Sequence, residues 1–593
     1  MPSTPDGPTS ADRTRLPIPD KEPELRRAMR ELGAVLRSGA SVRRHRTRIR
    51  RNLDRRLATD RRIQHGMTTL LARAAGAAAR TGPLEPVLSA RTRAGVERLG
   101  ARYLRLKRPD AFHQLYSGVA AAAGPSIRVA LSSASAPLGL NAGHEPSDPD
   151  LVPTLLAEAD RAWTARDHDR TADLLHAAFE IVFHRHYHFE DTVSPLGNDP
   201  DTFLAPFRAS SAFRAMTADP GGREARDPAP TDRPLRLLAT TTSNFNFLAG
   251  ILAEYEQRPD VEVRRLDLRH LPDGPWRAMP RDLIRNRLRL STGIPMEVPA
   301  QVRHDVDWAD VVFAEWGHRA MAWMSMVPNR RARLVARIHS YEAFTQFPHI
   351  TNWRGVDDVV FVSPHIRRLT EHTVPTMLSS GATIHTIPNR SDLAGFARPK
   401  RPGAQFTLGM VGWGQVVKDP LWAVDVLDAL RAVDSRWTMR LIGADFAPDT
   451  KLTAAARVYR DRLLERRAEL GDAIVTTGHV GDVAHELRRV GVILSTSHRE
   501  GTHEGLIQGA ASGAVPVVRN WPYVAKWGGA HTMFPSEWIV ETPQQAADRI
   551  LGLIDAQEFE AAGRAAANEV RSRYDWSVVA PRLEQVITGR GPR

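Results

Sequence analysis

The chain has 593 residues, 42% of them hydrophobic and 25% charged, which is ordinary usage for a protein of three or four globular domains. It contains no cysteine, which excludes disulfides, thiolate metal sites and a cysteine nucleophile. The net charge of +13 is uneven, because residues 26–62 hold 14 arginines against Glu31, Asp54 and Asp60 and leave the remainder nearly neutral.

No apolar run reaches the roughly 18–20 residues a membrane-spanning helix needs. The first residues are polar and proline-rich, without the apolar core of a signal peptide. A cytoplasmic location is expected. Residues 1–23 read as a disordered tail and 24–131 as a basic helical region. The arginines of 26–62 suit an anionic surface at the inner face of the cell membrane, where each near-surface cation is worth about 1 kcal/mol. A solvated basic helix is the plain alternative. Interleaved aromatics are missing, which argues against nucleic acid as a partner.

Residues 132–150, rich in Pro, Ser and Gly, read as a linker. Residues 151–216 carry apolar residues at helical spacing with a break near Arg166–Asp169. This resembles a tetratricopeptide-like hairpin, with one helix pair and no array. Within it His184 and His188 could share a helix face with His186 off it, but no Glu-x-x-His accompanies them and no metal site is expected. Residues 217–233 read as a second linker.

From Leu235 short apolar runs alternate with turns and helices. Leu235–Ala239, Val261–Leu266, Asp310–Ala314, Arg333–Ile338 and Asp358–Val362 predict strands of a doubly wound α/β domain over 234–400. A second such domain is expected over 401–573, with strands at Phe406–Val411, Met439–Gly443, Ala473–Thr477 and Val490–Leu494, followed by a closing helix in 574–593. The stretch Ser495–Val518, STSHREGTHEGLIQGAASGAVPVV, reads as loop, helix and strand after a buried strand. Ligands in parallel sheets bind at the carboxyl ends of strands, where helix N-termini offer free N–H groups. Glu500 and the loop Gly501–Gly505 belong at such a point.

Glu500, Gly501, Gly513 and Pro516 in this stretch resemble the donor-site signature of retaining glycosyltransferases with the two-domain GT-B fold, the glycogen-synthase-like GT4-type (group 1) family. The resemblance covers about residues 235–587. It extends to the loop Gly412-Trp413-Gly414 with Lys418, to the strand end at His339, to Ile387-Pro388-Asn389, to Gly478-His479-Val480 and to Tyr574-Asp575-Trp576-Ser577. It implies catalytic positions for Glu500 and His339, with Glu500 accepting hydrogen bonds from the sugar. It implies donor binding by Gly412, Gly414, Lys418, Asn389, Thr502, His503, Glu504, Gly505 and Gln508, and by His479 and Val480 around the base. The reaction it implies is a hexosyl-type transfer from a nucleotide sugar to a glycan, lipid-linked or cell-surface polymer acceptor. The nucleotide sugar is a co-substrate, and neither cofactor nor metal is expected. Four places depart from the family, one of them Arg390 where the family has Gly after Asn389. Trp413 stands where an Arg contacts the diphosphate, Gln508 where a second Glu binds the ribose, and Thr241-Thr242-Ser243-Asn244 where many members have a Gly-rich turn. Trp413 and Gln508 leave a second reading open, a degenerate module that binds a glycan or nucleotide, or acts as a scaffold, without turnover.

Overall fold

A computed structural model describes residues 53–81, 85–191, 193–219, 221–270, 279–553 and 556–589. The expectations for the tail 1–23 and for most of the basic segment 26–62, with its anionic surface, lie outside them. The chain divides into two compact units, residues 1–135 and 136–593.

The first unit packs helices Arg61–Ala78, Glu85–Arg105 and Pro109–Ala122 against one another. Asp60 caps the first by accepting from Arg62 N and Ile63 N, which satisfies two of the N–H groups a helix start leaves open. Leu57, Val96, Tyr103, Leu115 and Val119 fill its interior. The next helix, Pro125–Asn141, runs through ten residues of the expected linker 132–150. Ser133 and Ser135 return their hydroxyls to the carbonyls of Ala130 and Ser132, so these residues do not compete with the helix as Ser-rich turns do. Pro137 is accommodated inside the helix, and the linker proper begins after Asn141.

The second unit opens with a hairpin of helices Leu151–Thr164 and His168–Val182. Arg166 adopts φ +59° at the turn, and Asp167 caps the second helix by accepting from Arg170 N. Shorter helices Pro200–Ala209 and Ser211–Thr217 complete this layer, with Phe207 stacked on Phe179 at 5.2 Å. Past Thr217 the described residues of the expected linker 217–233 contain neither helix nor strand, yet Arg223 and Arg226 both bind Asp357 and Arg226 also reaches the carbonyl of Arg330. The segment is strapped to the domain that follows.

That domain is a six-stranded parallel sheet: β1 (Leu235–Thr241), β2 (Val261–Asp267), β3 (Val311–Glu315), β4 (Arg333–Ile338), β5 (Asp358–Phe361) and β6 (Thr383–Thr386), in the order β2-β1-β3-β4-β5-β6. A second parallel sheet has β7 (Thr407–Val411), β8 (Thr438–Ile442), β9 (Ile474–Gly478), β10 (Val492–Ser495), β11 (Val515–Arg519) and β12 (Ile539–Val540), in the order β12-β11-β10-β7-β8-β9. Helices cover both sheets, so the fold is the expected two-domain α/β architecture preceded by helices. Strands buried on both faces read as continuous apolar runs, and for that reason their spans were legible within a residue or two.

The chain crosses between the sheet domains twice. Residues 387–393 lead out of the first, and Trp576–Thr588 returns as a helix against it. At the crossing Trp576 N donates to Ser391 O at 2.9 Å and Leu393 N to the Asp575 carboxylate at 3.1 Å. Val579, Leu583, Val586 and Ile587 of the returning helix belong to one apolar cluster with Leu235, Leu237, Phe313 and Val335 of the first sheet. Among the described residues no helix is long and apolar enough to cross a membrane.

Because Leu583 is 1% exposed in that cluster, Leu583→Ala is expected to cost about 2–5 kcal/mol. Urea unfolding should show a lower midpoint with an unchanged slope for the transition that includes the first sheet.

Candidate functional site

In a doubly wound sheet the strand order reverses at one point and opens a crevice there. In the second sheet this point lies between β7 and β10. The loops that leave those two strands are Gly412–Asp419 and Thr496–His503, so both meet at the crevice. In the first sheet the reversal lies at β1 and β3, whose loops carry Phe247 and Trp316. The two crevices face each other across a cleft of about 1070 Å³ that both sheet domains line.

Glu500 lies at its floor, 7% exposed. Lys418 Nζ donates to Glu500 Oε1 at 2.6 Å, and Ser497 Oγ donates to the same oxygen at 2.6 Å. His503 Nε2 is 3.7 Å from it, and His503 Nδ1 lies 2.6 Å from Ser495 Oγ. Burial disfavours the carboxylate, but the His503 and Lys418 charges and the hydrogen bonds from Lys418 and Ser497 outweigh it and hold Glu500 at about 2. Burial pushes the His503 imidazole down to about 4.

The loop reaches Lys418 through two left-handed residues, Gly412 at φ +75° and Asp419 at φ +46°. Glycine permits the first. Asp419 is held in place by its carboxylate, which accepts from Tyr459 and Arg519 at 2.7 Å each.

The Glu500 loop is also tied to the first sheet domain. His365 Nε2–H donates to the Glu500 carbonyl at 2.8 Å, Thr502 Oγ1 to Val362 O at 3.0 Å, and Arg499 Nη1 to Ser340 Oγ at 2.7 Å. A Cβ at Gly501 would stand 2.8 Å from Val362 Cγ2, which explains the glycine.

On the opposite lip, His339 directly follows β4. Its Nε2–H donates to Glu315 Oε1 at 2.8 Å, and Glu315 receives Arg337 in a bidentate pair at 2.9 Å. All three are buried, and Arg337 and His339 overcome the burial of Glu315 to keep it ionised. Trp316 and Phe247 flank the imidazole at 4.6 and 4.7 Å between ring centres. The Glu315 pair therefore fixes the ring orientation of His339 at the cleft wall.

Helix Glu504–Ala511 begins at the cleft, and His503 precedes it without a side-chain bond to its open N–H groups. Glu504 and Gln508, one turn apart on one face, both line the cleft, as do Gly412, Gly414, Thr502, His503, Gly505 and Asn389. Burial raises the Glu504 pKa against the opposing effect of His339, Asn389, Arg337 and Lys418.

A third wall comes from the helical layer, through Arg185, Phe189 and Glu190. Phe189 packs on Tyr341 at 5.1 Å and under the Arg499 guanidinium at 4.7 Å. Glu190 accepts from Thr453 of the second sheet domain, and Tyr523 donates to the Asp191 carbonyl. One short segment thus touches both sheet domains across the mouth. No motif announced these residues, nor the aromatic wall; Arg499 and Tyr341 adjoin predicted site residues and could have been found that way.

Not every expected residue converges. His479 and Val480 do not line the cleft. Their turn follows β9, the edge strand, two strands from the reversal point and so roughly 10 Å to the side. Trp413 is turned away, 1% exposed, against Phe446 at 6.1 Å with the Arg467 guanidinium over its ring at 5.6 Å. The turn after β1 satisfies its own polar groups, with Thr242 Oγ1 2.9 Å from His318 Nδ1 and Trp316 Nε1 donating to Asn244 O. His184 caps a short helix through His186 N, and His188 bonds Ser194 Oγ and Val182 O. Among the described residues no three His, Asp or Glu converge as metal ligands.

Glu500 gives a signed pH dependence. A carboxyl held near 2 in the fold and near its ordinary 4.5 unfolded contributes stability above pH 4.5 and loses it as pH falls toward 2. The stability advantage of the wild type over Glu500→Gln should shrink by roughly 3 kcal/mol between pH 6 and pH 2.5, read by chemical unfolding at each pH.

No family model matches this chain, and no curated protein matches it. Among solved structures, Anabaena HepE in complex with UDP and glucose superposes with a TM-score of 0.43 at 17% identity, covering 60% of this chain and 100% of that one. A mutant of Thermobaculum terrenum O-GlcNAc transferase superposes with a TM-score of 0.41 at 15% identity, covering 89% and 97%. TarM gives 0.36 at 14% identity, and this chain spans about half of it, 54%.

Proposed function

We propose that this protein is a retaining, metal-independent glycosyltransferase that moves a sugar from a nucleotide-sugar donor to a glycan, lipid-linked or cell-surface polymer acceptor. One observation carries the reading. Lys418 and Glu500, 82 residues apart, meet at 2.6 Å at the reversal point of the second sheet, beside a helix start and opposite His339.

The transition state of such a transfer has an oxocarbenium-like sugar and a departing diphosphate. Lys418 places an ammonium where phosphate charge develops, and the N–H groups opening the Glu504–Ala511 helix add to it. Glu500 accepts from sugar hydroxyls once the phosphates share Lys418. His339, oriented by Glu315, presents its ring from the other lip. The cleft mouth, walled by Phe189, Tyr341 and Trp316, offers aromatic faces on which acceptor sugar rings stack.

Specific observations favour the second reading, binding without turnover. Trp413 brings no cation to the diphosphate, and Gln508 brings no carboxylate to the ribose.

A thermal-shift screen with UDP, GDP, ADP, dTDP and CMP separates the two. One nucleotide at about 100 times its Kd adds roughly 2.7 kcal/mol of stability to the wild type and little to Lys418→Ala. Turnover of the matching sugar nucleotide should then fall at least 100-fold in Glu500→Ala. Nucleotide binding without turnover in any sugar conjugate would select the binding module, and no binding at millimolar concentration would sink the transferase.

A further inference from the structure

We propose that the Glu504 carboxylate and the Asn389 amide oxygen form a paired acceptor that binds two hydroxyls of the transferred sugar, an inference that rests on the transferase reading above. Both residues line the cleft. Asn389 is 3% exposed, and its Oδ1 is buried without a hydrogen-bond partner, as is Glu504 Oε1. Buried polar atoms of this kind are rarely left unpaired, and each calls for a partner from outside the chain.

The chemistry of the missing partner follows from the two atoms. An ionised carboxylate and an amide oxygen both only accept, so Glu504 Oε1 and Asn389 Oδ1 each call for a donor. Two acceptors are thus open in one cleft. A diphosphate is itself an acceptor at neutral pH and is repelled by a carboxylate, so it satisfies neither. Hydroxyls satisfy both. Burial raises the Glu504 pKa, and His339, Arg337 from β4 and Lys418 from the loop after β7 oppose that rise; the ionised form takes the stronger hydrogen bond.

Glu504 therefore acts through its side chain as well as through its place at a helix start. The division of labour is physical. Lys418 and the helix N–H groups hold the phosphates, while Glu504 and Asn389 read the sugar. A donor whose sugar lacks hydroxyls on that face binds no better than the bare nucleotide.

Titration calorimetry on the full chain tests this with UDP and UDP-glucose, GDP and GDP-mannose, ADP and ADP-glucose, and dTDP and dTDP-glucose. The pair whose diphosphate binds the wild type is the one compared. The wild type is expected to bind the sugar conjugate more tightly than the diphosphate. Glu504→Gln and Asn389→Ala should bind the diphosphate no more weakly than the wild type does and weaken the conjugate at least tenfold. Retained diphosphate affinity also shows that each variant is folded. Equal weakening of both ligands, or an unchanged conjugate affinity, overturns the proposal and leaves the transferase reading standing. If no diphosphate binds the wild type, the transferase reading fails and takes this inference with it.

Discussion

The second unit is organised around a carboxylate placed where carboxylates are expensive. Taking the Glu500 charge out of water costs several kcal/mol unless partners surround it, and removing one partner of a buried pair typically costs 3–5 kcal/mol. Lys418 and Ser497 satisfy one oxygen, and His503 stands behind them. Each partner is itself constrained. Lys418 depends on the two left-handed residues of its loop, and Ser497 and His503 on the turn after β10. The Glu500 carbonyl belongs to His365 of the other sheet domain. Keeping one charge satisfied thus sets the relation of two loops, and ties the second sheet to the first.

Much of this was legible in advance for a simple reason. Parallel strands covered on both faces are continuous apolar runs bounded by turns, so Arg333–Ile338 is read from sequence as it stands. Glu500 follows such a run by a few residues, the family resemblance pointed to Lys418 and His339 after two others, and topology then brings these strand ends together. His479 and Val480 were expected from the same resemblance but do not line the cleft. Their strand is at the sheet edge, and strand order is a long-range property that local pattern does not encode.

Two kinds of feature were hidden. Pro137 and its neighbouring serines look like linker composition, yet local hydroxyl-to-carbonyl bonds let a helix absorb them. The wall built by Arg185, Phe189 and Glu190 depends on how a helical layer packs on a sheet domain far along the chain. Nothing in the spacing of those residues records it. Trp413 is intermediate. Its position in the loop was clear, but only the structure shows the ring packed inward between Phe446 and Arg467, where it supports the loop instead of lining the cleft.

The returning helix has a consequence for how the chain comes to its fold during synthesis. Leu235, Phe313 and Val335 of the first sheet share a core with Val579 and Leu583, and more than a hundred intervening residues build the whole second sheet. At about 5–20 residues per second, roughly 10–40 s separate translation of Ile387 from that of Val579. Through that interval the first sheet waits with part of one apolar face uncovered, while the last strand of the second, Ile539–Val540, is made before Val579. The later-made half can close first, and the earlier half remains the one that a chaperone has reason to hold.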